Sequence, residues 1–541
     1  MTIFLPSVKL DFMVSRKLLP QLLLVLIVIL ALLLRVYKLD KFPPGFYTDE
    51  ASIGFNAYKI VTTLHDEHGK LLPLFFEAFG EYKNALAIYP VAITYWIFGL
   101  GEFTTRLPQA LLGVVTVFSM YFLAKELFSK KVGLISAFVI ATIPWHVHLS
   151  RFTIESHNAF LLSIVLGTTF LLVSFRKNWE IKFLIVATIC FAVAFYTYFA
   201  TRIFTPLYLL GLGVIFRHEL SKLIRSRIRT ILIPVTVFIV LTLPFIFHMS
   251  SGKGLLRYQQ VAIDKEISSP SGLAQKAYKL YFEHYNFDFI FLKGDSDFDG
   301  QLSNRHSVNG LGLLYKWQLP FWILGIFFLL AQKNLHFMQK KWLILLMLLL
   351  FPLGSVLSDA KTPYATRSII GVVPYTLITA YGLHIVLKRL TKLKNQIVKI
   401  MLRTLALILV AFIVSLFLNR FLNLYQAYIN RAYGYIGFQY GSKQIVNYFL
   451  ENNEKYQVKI IHSGFDGTDA LLNFYGLENC KNCYKFDPKP CKGDVSKLIA
   501  VSVDNKSEFD KSYKATLKEV IFYPNGIKAF EIFEAFSKNC D

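Results

Sequence analysis

The chain has 541 residues, of which 54% are hydrophobic and 16% aromatic, and its mean hydropathy of +0.46 excludes an ordinary soluble protein. The formal net charge of +23 could indicate a nucleic-acid-binding protein. However, the basic residues lie in short loops between apolar runs, as in the cytoplasmic loops of membrane proteins. We therefore expect a polytopic membrane protein and no nucleic-acid partner.

Apolar runs that reach or approach the roughly 20 residues needed to cross a bilayer recur along the chain. They predict a mainly α-helical protein with about eleven spans. One further run, 85–100, is ambiguous because it is short and follows the polar stretch 81–84. The predicted spans lie near 18–36, 107–124, 132–147, 159–175, 181–196, 203–216, 231–247, 314–330, 342–357, 368–386 and 401–418.

Loop charge decides how the ambiguous run is placed. If residues 85–100 do not cross the membrane, five basic loops fall on the same side as Arg16 and Lys17, as expected for cytoplasmic loops. If the run crosses, all five move to the opposite side. We therefore expect residues 85–100 to form a re-entrant or interfacial helix on the outer face. The five loops are 125–131, 176–182, 217–229, 333–341 and 388–399.

Two domains are expected from this topology. Residues 1–419 form the polytopic domain, with long outer loops at 38–106 and 248–313. Residues 420–541 are predicted to form a small extracytoplasmic α/β domain. Its expected strands are 457–462 and 498–503, its helices are 442–450 and 468–475, and Asn525-Gly526 predicts a hairpin between 515–523 and 527–533.

Cysteine usage agrees with this topology. Cys190 lies alone inside a predicted span and is expected in the core. The other four cysteines lie in the outer domain, where disulfides are permitted and three pairings are possible. A structural zinc site with four thiolate ligands is the alternative. These four residues are Cys480, Cys483, Cys491 and Cys540.

The stretch 42–50 marks the start of the first outer loop. Pro43, Pro44 and Gly45 turn the chain, and Asp49 and Glu50 then begin an amphipathic helix. The two carboxylates fit the positive end of a helix dipole. Alternatively, one of them is held at the membrane surface to carry out chemistry. No Walker loop, dinucleotide-binding glycine pattern or zinc-protease motif occurs elsewhere in the sequence.

Further polar motifs lie on the expected outer face. Such residues suit a lipid with an anionic headgroup, because cations hold a phosphate, apolar walls hold the tail and a carboxylate acts as a base. For the arginines at span ends, snorkelling to headgroups is the alternative, and for the tyrosines it is interface anchoring. In order, the motifs are Pro43-Pro44-Gly45 through Asp49-Glu50; Tyr82-Lys83 and Phe98-Gly99 through Arg106-Leu107-Pro108; Leu149-Ser150-Arg151 with Glu155; Tyr196-Thr197-Tyr198 with Arg202 and Pro206; Phe291-Leu292-Lys293-Gly294-Asp295 with Asn304-Arg305-His306-Ser307; and Pro363-Tyr364-Ala365-Thr366-Arg367-Ser368.

With these six motifs in order, the chain resembles the phospholipid-carrier-dependent glycosyltransferases of the GT-C fold over roughly residues 32–390. This group includes protein O-mannosyltransferases and the aminoarabinose lipid A transferase. The resemblance implies an inverting transfer of a sugar from a polyprenyl-phosphate carrier to a protein, glycan or lipid acceptor. The reaction would take place on the outer face of the cytoplasmic membrane, without a resident cofactor or metal.

The resemblance also implies roles for individual residues. Asp49 is expected to be the general base, and Glu50 or Glu155 to orient the acceptor or the base. Membrane lipids are further expected partners, through the basic loops. The remaining candidates are Lys83, Arg202, Arg305 and Arg367 for the donor phosphate, and Tyr47, Tyr82, Arg151, Tyr196, Tyr198, Asp295 and His306 for substrate binding.

Two other classes of function remain open at this point. A transporter or lipid flippase would place ionisable residues at mid-membrane and would show related halves. Here the charges collect at one face and no internal repeat is visible. A non-catalytic scaffold that displays the C-terminal domain would not depend on Asp49.

Overall fold

The computed structural model describes residues 18–261, 269–295, 305–308, 310–357, 363–391, 397–398, 400–401, 404, 437–462, 464–477, 479–485, 487 and 496–538. Most of the predicted span 401–418 lies outside these residues, as do Cys491 and Cys540. Within the described residues the chain is mainly helical, with a small sheet region near its C-terminus. The predicted fold class is confirmed.

Helices dominate the chain up to residue 404, and several are long and apolar. They are α1 Leu19–Val36, α2 Thr48–Thr63, α3 Ala85–Phe98, α4 Glu102–Leu127, α5 Lys130–Thr142, α6 Pro144–Leu149, α7 His157–Arg176, α8 Ile181–Ala194, α9 Thr201–Ile215, α10 Arg217–Ser226, α11 Arg229–Ser250, α12 Leu256–Val261, α13 Pro270–Glu283, α14 Gln318–Ala331, α15 Leu335–Leu350, α16 Leu353–Val356 and α17 Val372–Thr391.

Six helical stretches in the described part of the chain are long and apolar enough to cross a membrane. A seventh span results if α9 and α10, which are bent by 76°, count as one. The apolar helices α3, α8 and α14 are shorter. The protein is therefore multi-pass, while the count of eleven spans stays a prediction. The six stretches are Leu19–Val36, Glu102–Leu127, His157–Arg176, Arg229–Ser250, Phe337–Val356 and Ile369–Leu390.

One predicted span differs in its course. The apolar run 132–147 is divided, because α5 ends at Thr142 and Pro144 begins the short helix α6. Proline lacks an amide hydrogen and therefore favours the first turn of a new helix over the interior of an existing one. The break brings the segment 150–156 to the functional site described below.

The segment between α1 and α4 forms a folded unit. It contains α2, a hairpin of β1 (Phe75–Ala78) and β2 (Glu81–Asn84), and the 14-residue helix α3. The side chain of Glu50 accepts the backbone N–H of Tyr47 and so caps the first turn of α2. The predicted helix at 85–100 is present as α3, Ala85–Phe98. Its position at the membrane interface stays a prediction.

The C-terminal residues form a mixed sheet with helices α18 (Ser442–Glu451), α19 (Thr468–Gly476) and α20 (Lys506–Ser512). The strand order is β4-β3-β5-β7-β6, with β3 parallel to β4 and β5 and the other pairs antiparallel. The predicted hairpin around Asn525-Gly526 is present as β6 and β7. The strands are β3 Val458–Ile461, β4 Cys483–Tyr484, β5 Lys497–Ser502, β6 Tyr513–Phe522 and β7 Lys528–Ser537.

The C-terminal sheet region shares a hydrophobic core with the segment between α1 and α4. Phe46 stacks on Phe474 of α19 at a centroid distance of 4.6 Å. Gly54 of α2 leaves room for the same ring, since a Cβ there would approach Phe474 to 2.6 Å. The region predicted as a separate domain is therefore packed directly onto the helix that carries Asp49.

The cysteines of this region include one bonded pair. Cys480 and Cys483 form a disulfide beside β4. Cys190 is a free cysteine in α8, but it is only partly buried and so does not lie in the core as its place in an apolar run predicted.

Candidate functional site

A polar cavity of about 230 Å³, here called the charged pocket, lies where several connecting segments of the polytopic region meet. Its wall carries four cationic side chains and three carboxylates. Such a mixture suits a substrate with both an anionic group and hydroxyl groups. The lining residues are Tyr47, Asp49, Glu81, Lys83, Ile154, Glu155, His157, Tyr198, Arg257, Arg305, His306, Tyr364, Thr366 and Arg367.

Asp49 enters the pocket from the first turn of α2 and is paired with Lys83 of β2. Lys83 Nζ donates to Asp49 Oδ1 at 2.5 Å, and the Asp49 side chain keeps 18% of its surface exposed. Burial lowers the pKa of Lys83, but the three carboxylates of the pocket outweigh this effect and leave it raised. Lys83 is therefore a buried cation that fixes one oxygen of Asp49. The other oxygen, Oδ2, makes no hydrogen bond within the described residues.

Glu50 points away from the pocket. Its carboxylate is fully buried and accepts two hydrogen bonds from Arg106, both at 2.8 Å. It also accepts the backbone N–H groups of Tyr47 and Thr153. The bonds from Arg106 and Thr153 hold α2 to neighbouring segments, and the bond from Tyr47 caps the helix itself. The geometry does not support the predicted role of Glu50 in orienting the acceptor or the base.

Arg305 lies over the ring of Tyr47 in the pocket wall. Its guanidinium carbon is 3.8 Å from the ring centroid, and Nη2 donates to Tyr47 Oη at 2.7 Å. Burial, with a further contribution from Asp49, raises the pKa of Tyr47, so its hydroxyl stays protonated. That proton is donated to Asp466 Oδ2 of the C-terminal region at 3.3 Å.

The segment 363–368 brings Arg367 and Tyr364 to the pocket wall, with the guanidinium 4.4 Å from the ring centroid. Asp295 holds this segment from behind, because its buried carboxylate accepts the N–H of Ala365 at 2.9 Å. His306 lines the pocket, and its Nδ1 lies 3.6 Å from Asp295 Oδ2. Asp295 therefore supports the pocket without lining it.

Glu155 lies beside Lys83 in the segment that leads into α7. Burial raises the pKa of Glu155 to about 7, while the charge of Lys83 opposes the rise. Its Oε2 is buried and makes no hydrogen bond within the described residues. This carboxyl group can therefore accept or donate a proton near neutral pH.

Three ionisable lining residues were not predicted from the sequence. Arg257 of α12 pairs with Glu81 at 3.1 Å, and His157 begins α7. The only sequence signals were the position of Arg257 in the outer loop 248–313 and of Glu81 beside the Tyr82-Lys83 motif. Neither signal separates a pocket residue from a solvated one. Spatial proximity alone identifies them.

Arg151 was predicted to bind substrate and instead holds the end of α1. Its guanidinium is fully buried and donates to the carbonyls of Leu34, Tyr37 and Phe42 at 2.8 to 3.0 Å. The carbonyls of Leu34 and Tyr37 lie at the C-terminal end of α1, where carbonyls lack partners within the helix, so this arginine satisfies them. Arg151 is thus neither in the pocket nor at the lipid surface.

Three further candidates also lie outside the wall of the charged pocket. Arg202 donates to the carbonyl of Gly254 at 2.6 Å, and Tyr196 donates to a carbonyl of α11. The hydroxyl of Tyr82 donates to Glu77 at 3.3 Å. Tyr198, by contrast, lines the pocket.

Within the described ranges, no three His, Cys, Asp or Glu side chains are grouped closely enough to hold a metal ion.

Comparisons with known proteins agree with this architecture. Residues 85–248 match the family model described as dolichyl-phosphate-mannose-protein mannosyltransferase. A putative mannosyltransferase, YkcB of Bacillus subtilis (strain 168), is 30% identical over 135 residues. That match spans 24% of this chain and 19% of the relative's length.

Solved structures resemble the chain over nearly its whole length. The Archaeoglobus fulgidus oligosaccharyltransferase tethered to an acceptor peptide has a TM-score of 0.56 at 13% identity, covering 97% of this chain and 76% of that one. ArnT from Cupriavidus metallidurans bound to undecaprenyl phosphate has a TM-score of 0.52 at 12% identity, covering 94% and 97%. The resemblance predicted from the motifs is confirmed, and the chain has the fold of the GT-C glycosyltransferases.

Proposed function

We propose that this protein is an integral-membrane glycosyltransferase. It transfers a sugar from a polyprenyl-phosphate carrier to a protein, glycan or lipid acceptor on the outer face of the cytoplasmic membrane. The observation that carries the proposal is the charged pocket, in which Asp49 faces a group of cations. The mannosyltransferase family match and the polyprenyl phosphate bound by a protein of the same fold support it.

In this reaction Asp49 acts as the general base. It takes the proton from an acceptor hydroxyl or amine as that atom attacks the anomeric carbon of the sugar. The bond from this carbon to the phosphate oxygen breaks on the opposite face, so the anomeric configuration inverts. Lys83 holds the carboxylate by one oxygen and leaves the other for the acceptor.

The leaving group is the polyprenyl phosphate, whose negative charge grows as the bond breaks. Arg257, Arg305 and Arg367 line the same pocket and can meet that charge. Two of them lie over tyrosine rings, which orients the planar guanidinium groups. The proposal thus assigns the base and the phosphate site to one cavity.

The test uses membranes that contain wild-type protein, Asp49→Asn or the control Asp40→Asn, an exposed aspartate in the same loop. Each is given a panel of radiolabelled polyprenyl-phosphate sugars, and the label is followed into protein, glycan and lipid fractions. We expect Asp49→Asn to lower transfer by a factor of about 10²–10⁴, and Asp40→Asn to match the wild type.

Two outcomes would count against the proposal. Transfer by Asp49→Asn at the wild-type rate would show that Asp49 is not the general base. No transfer from any donor by folded wild-type protein would reject the enzyme and favour the transporter or flippase alternative.

A further inference from the structure

The C-terminal region places a carboxylate at the edge of the charged pocket. Tyr47 Oη donates to Asp466 Oδ2 at 3.3 Å and accepts a hydrogen bond from Arg305 Nη2 at 2.7 Å. The guanidinium also lies 3.8 Å above the same ring. The phenol of Tyr47 therefore connects an acidic side chain of the C-terminal region to a cation in the pocket wall.

The loop that carries Asp466 is fixed against the start of α2. Thr48 Oγ1 donates to the carbonyl of Gly467 at 3.1 Å. The buried side chain of Gln439 accepts the N–H of Thr48 at 2.9 Å and donates to the carbonyl of Asp466 at 3.0 Å. These three contacts hold the backbone at Asp466 in place, so that its side chain stays within reach of Tyr47.

We propose that Asp466 is a positioning residue of the transferase. It directs the hydroxyl of Tyr47, and thereby holds Arg305 where the phosphate of the donor binds. A hydroxyl that donates to a carboxylate turns its lone pairs toward the guanidinium, and successive hydrogen bonds in such a chain strengthen one another. This inference rests on the proposed function, in which Arg305 meets the donor phosphate.

Asp466 differs from a residue that only supports the fold. Its side chain is exposed to solvent, whereas Tyr47 keeps only 6% of its surface exposed. Replacement of an exposed carboxylate leaves no cavity and no unpaired charge in a core. Loss of Asp466 should therefore change donor binding and leave the melting temperature unchanged.

The test measures the Michaelis constant for the polyprenyl-phosphate sugar with full-length protein. We expect Asp466→Ala to raise this constant about five- to tenfold, as for the loss of one hydrogen bond, with kcat changed by less than about twofold. Asp466→Asn should recover most of the affinity, because its amide oxygen still accepts from Tyr47. The matched control is Asp469→Ala, an exposed aspartate three residues further along.

A double-mutant cycle separates this chain of contacts from a general effect on the fold. The variant Tyr47→Phe lacks the hydroxyl. In that background, adding Asp466→Ala should raise the Michaelis constant for the donor by less than about twofold. If the double variant instead raised the Michaelis constant by the product of the two single effects, the inference would be wrong. Wild-type affinity of Asp466→Ala in a preparation that transfers sugar would also overturn it. Absence of transfer by the wild type would instead overturn the proposed function.

Discussion

Neighbouring carboxylates in this protein have different environments. Asp49 is partly exposed and bonded through one oxygen to Lys83, whereas Glu50 is fully buried with Arg106. Successive residues of a helix differ in direction by about 100°, so Asp49 enters the charged pocket while Glu50 lies in the packing between segments. We therefore propose that Asp49 acts in the reaction and that Glu50 stabilises the fold.

Glu50→Gln should lower the free energy of unfolding by about 3–5 kcal/mol, because it leaves the charge of Arg106 buried without a counter-ion. Thermal unfolding in detergent is the measurement. Asp40→Asn serves as the comparison and should melt like the wild type, because Asp40 is exposed. Adding Arg106→Gln should restore part of the loss, and wild-type stability of Glu50→Gln would contradict the assignment.

Glu155 predicts a pH-dependent stability. Burial raises its pKa from 4.5 to about 7, so the folded protein retains a proton that the unfolded chain releases between these values. Stability contributed by this group is therefore complete at low pH and is lost as the pH rises through 7. Glu155→Gln, which cannot ionise, should melt a few degrees above the wild type at pH 8 and show no such gain at pH 4. An equal difference in melting temperature at pH 4 and pH 8 would contradict the raised pKa of Glu155.

At the scale of elements, the loop before α19 determines how the C-terminal region meets α2. Gly467 has a φ of +66°, and a Cβ there would lie 2.0 Å from Thr48 Oγ1. Both the backbone conformation and the close approach therefore require glycine. Because Thr48 precedes Asp49, a displaced loop would also displace the proposed base.

Gly467→Ala should reduce sugar transfer by at least about tenfold, since a 1.4 kcal/mol disturbance of the site corresponds to that factor. Gly526→Ala is the matched control. Gly526 has a φ of +84° in the same region, but a Cβ at this position would have no described atom within 4 Å. Both variants carry the backbone penalty, so the difference between them isolates the contact with Thr48. Equal activity of the two would show that this contact has no influence on the site.

At the scale of the whole molecule, the chain combines a multi-pass helical bundle with a C-terminal sheet region packed on its first connecting segment. The charged pocket is lined by the ends of helices and by the segments that connect them, and Asp466 of the sheet region accepts a hydrogen bond from Tyr47 in the pocket wall. This arrangement requires the sheet region and the pocket to lie on one side of the membrane. Lys131, in the first turn of α5, should lie on the other side.

Single cysteines provide the test of this orientation, in a background without Cys190, Cys491 and Cys540. A cysteine at Lys131 should react with a membrane-impermeant reagent only from the cytoplasmic side, because positively charged loops are retained there. A cysteine at the exposed Lys443 should react only from outside. Labelling of both positions from the same side would contradict the proposed topology.

Much of the fold was predictable because its signals are local. Apolar runs indicate membrane helices, and Asn525-Gly526 specifies a hairpin. The motifs also predicted several residues of the pocket, including Asp49, Lys83 and Arg305. Each of these features depends on residues that are close in the chain.

The sequence by itself determined the class of protein, the approximate helices and the types of residue available for the site. Only the tertiary structure decided their partners. Asp49 and Lys83 are 34 positions apart, whereas Tyr47 is 258 positions from Arg305 and 419 from Asp466. Contacts over such separations depend on how whole elements pack. For that reason sequence patterns did not show that Glu50 pairs with Arg106 and did not identify Asp466.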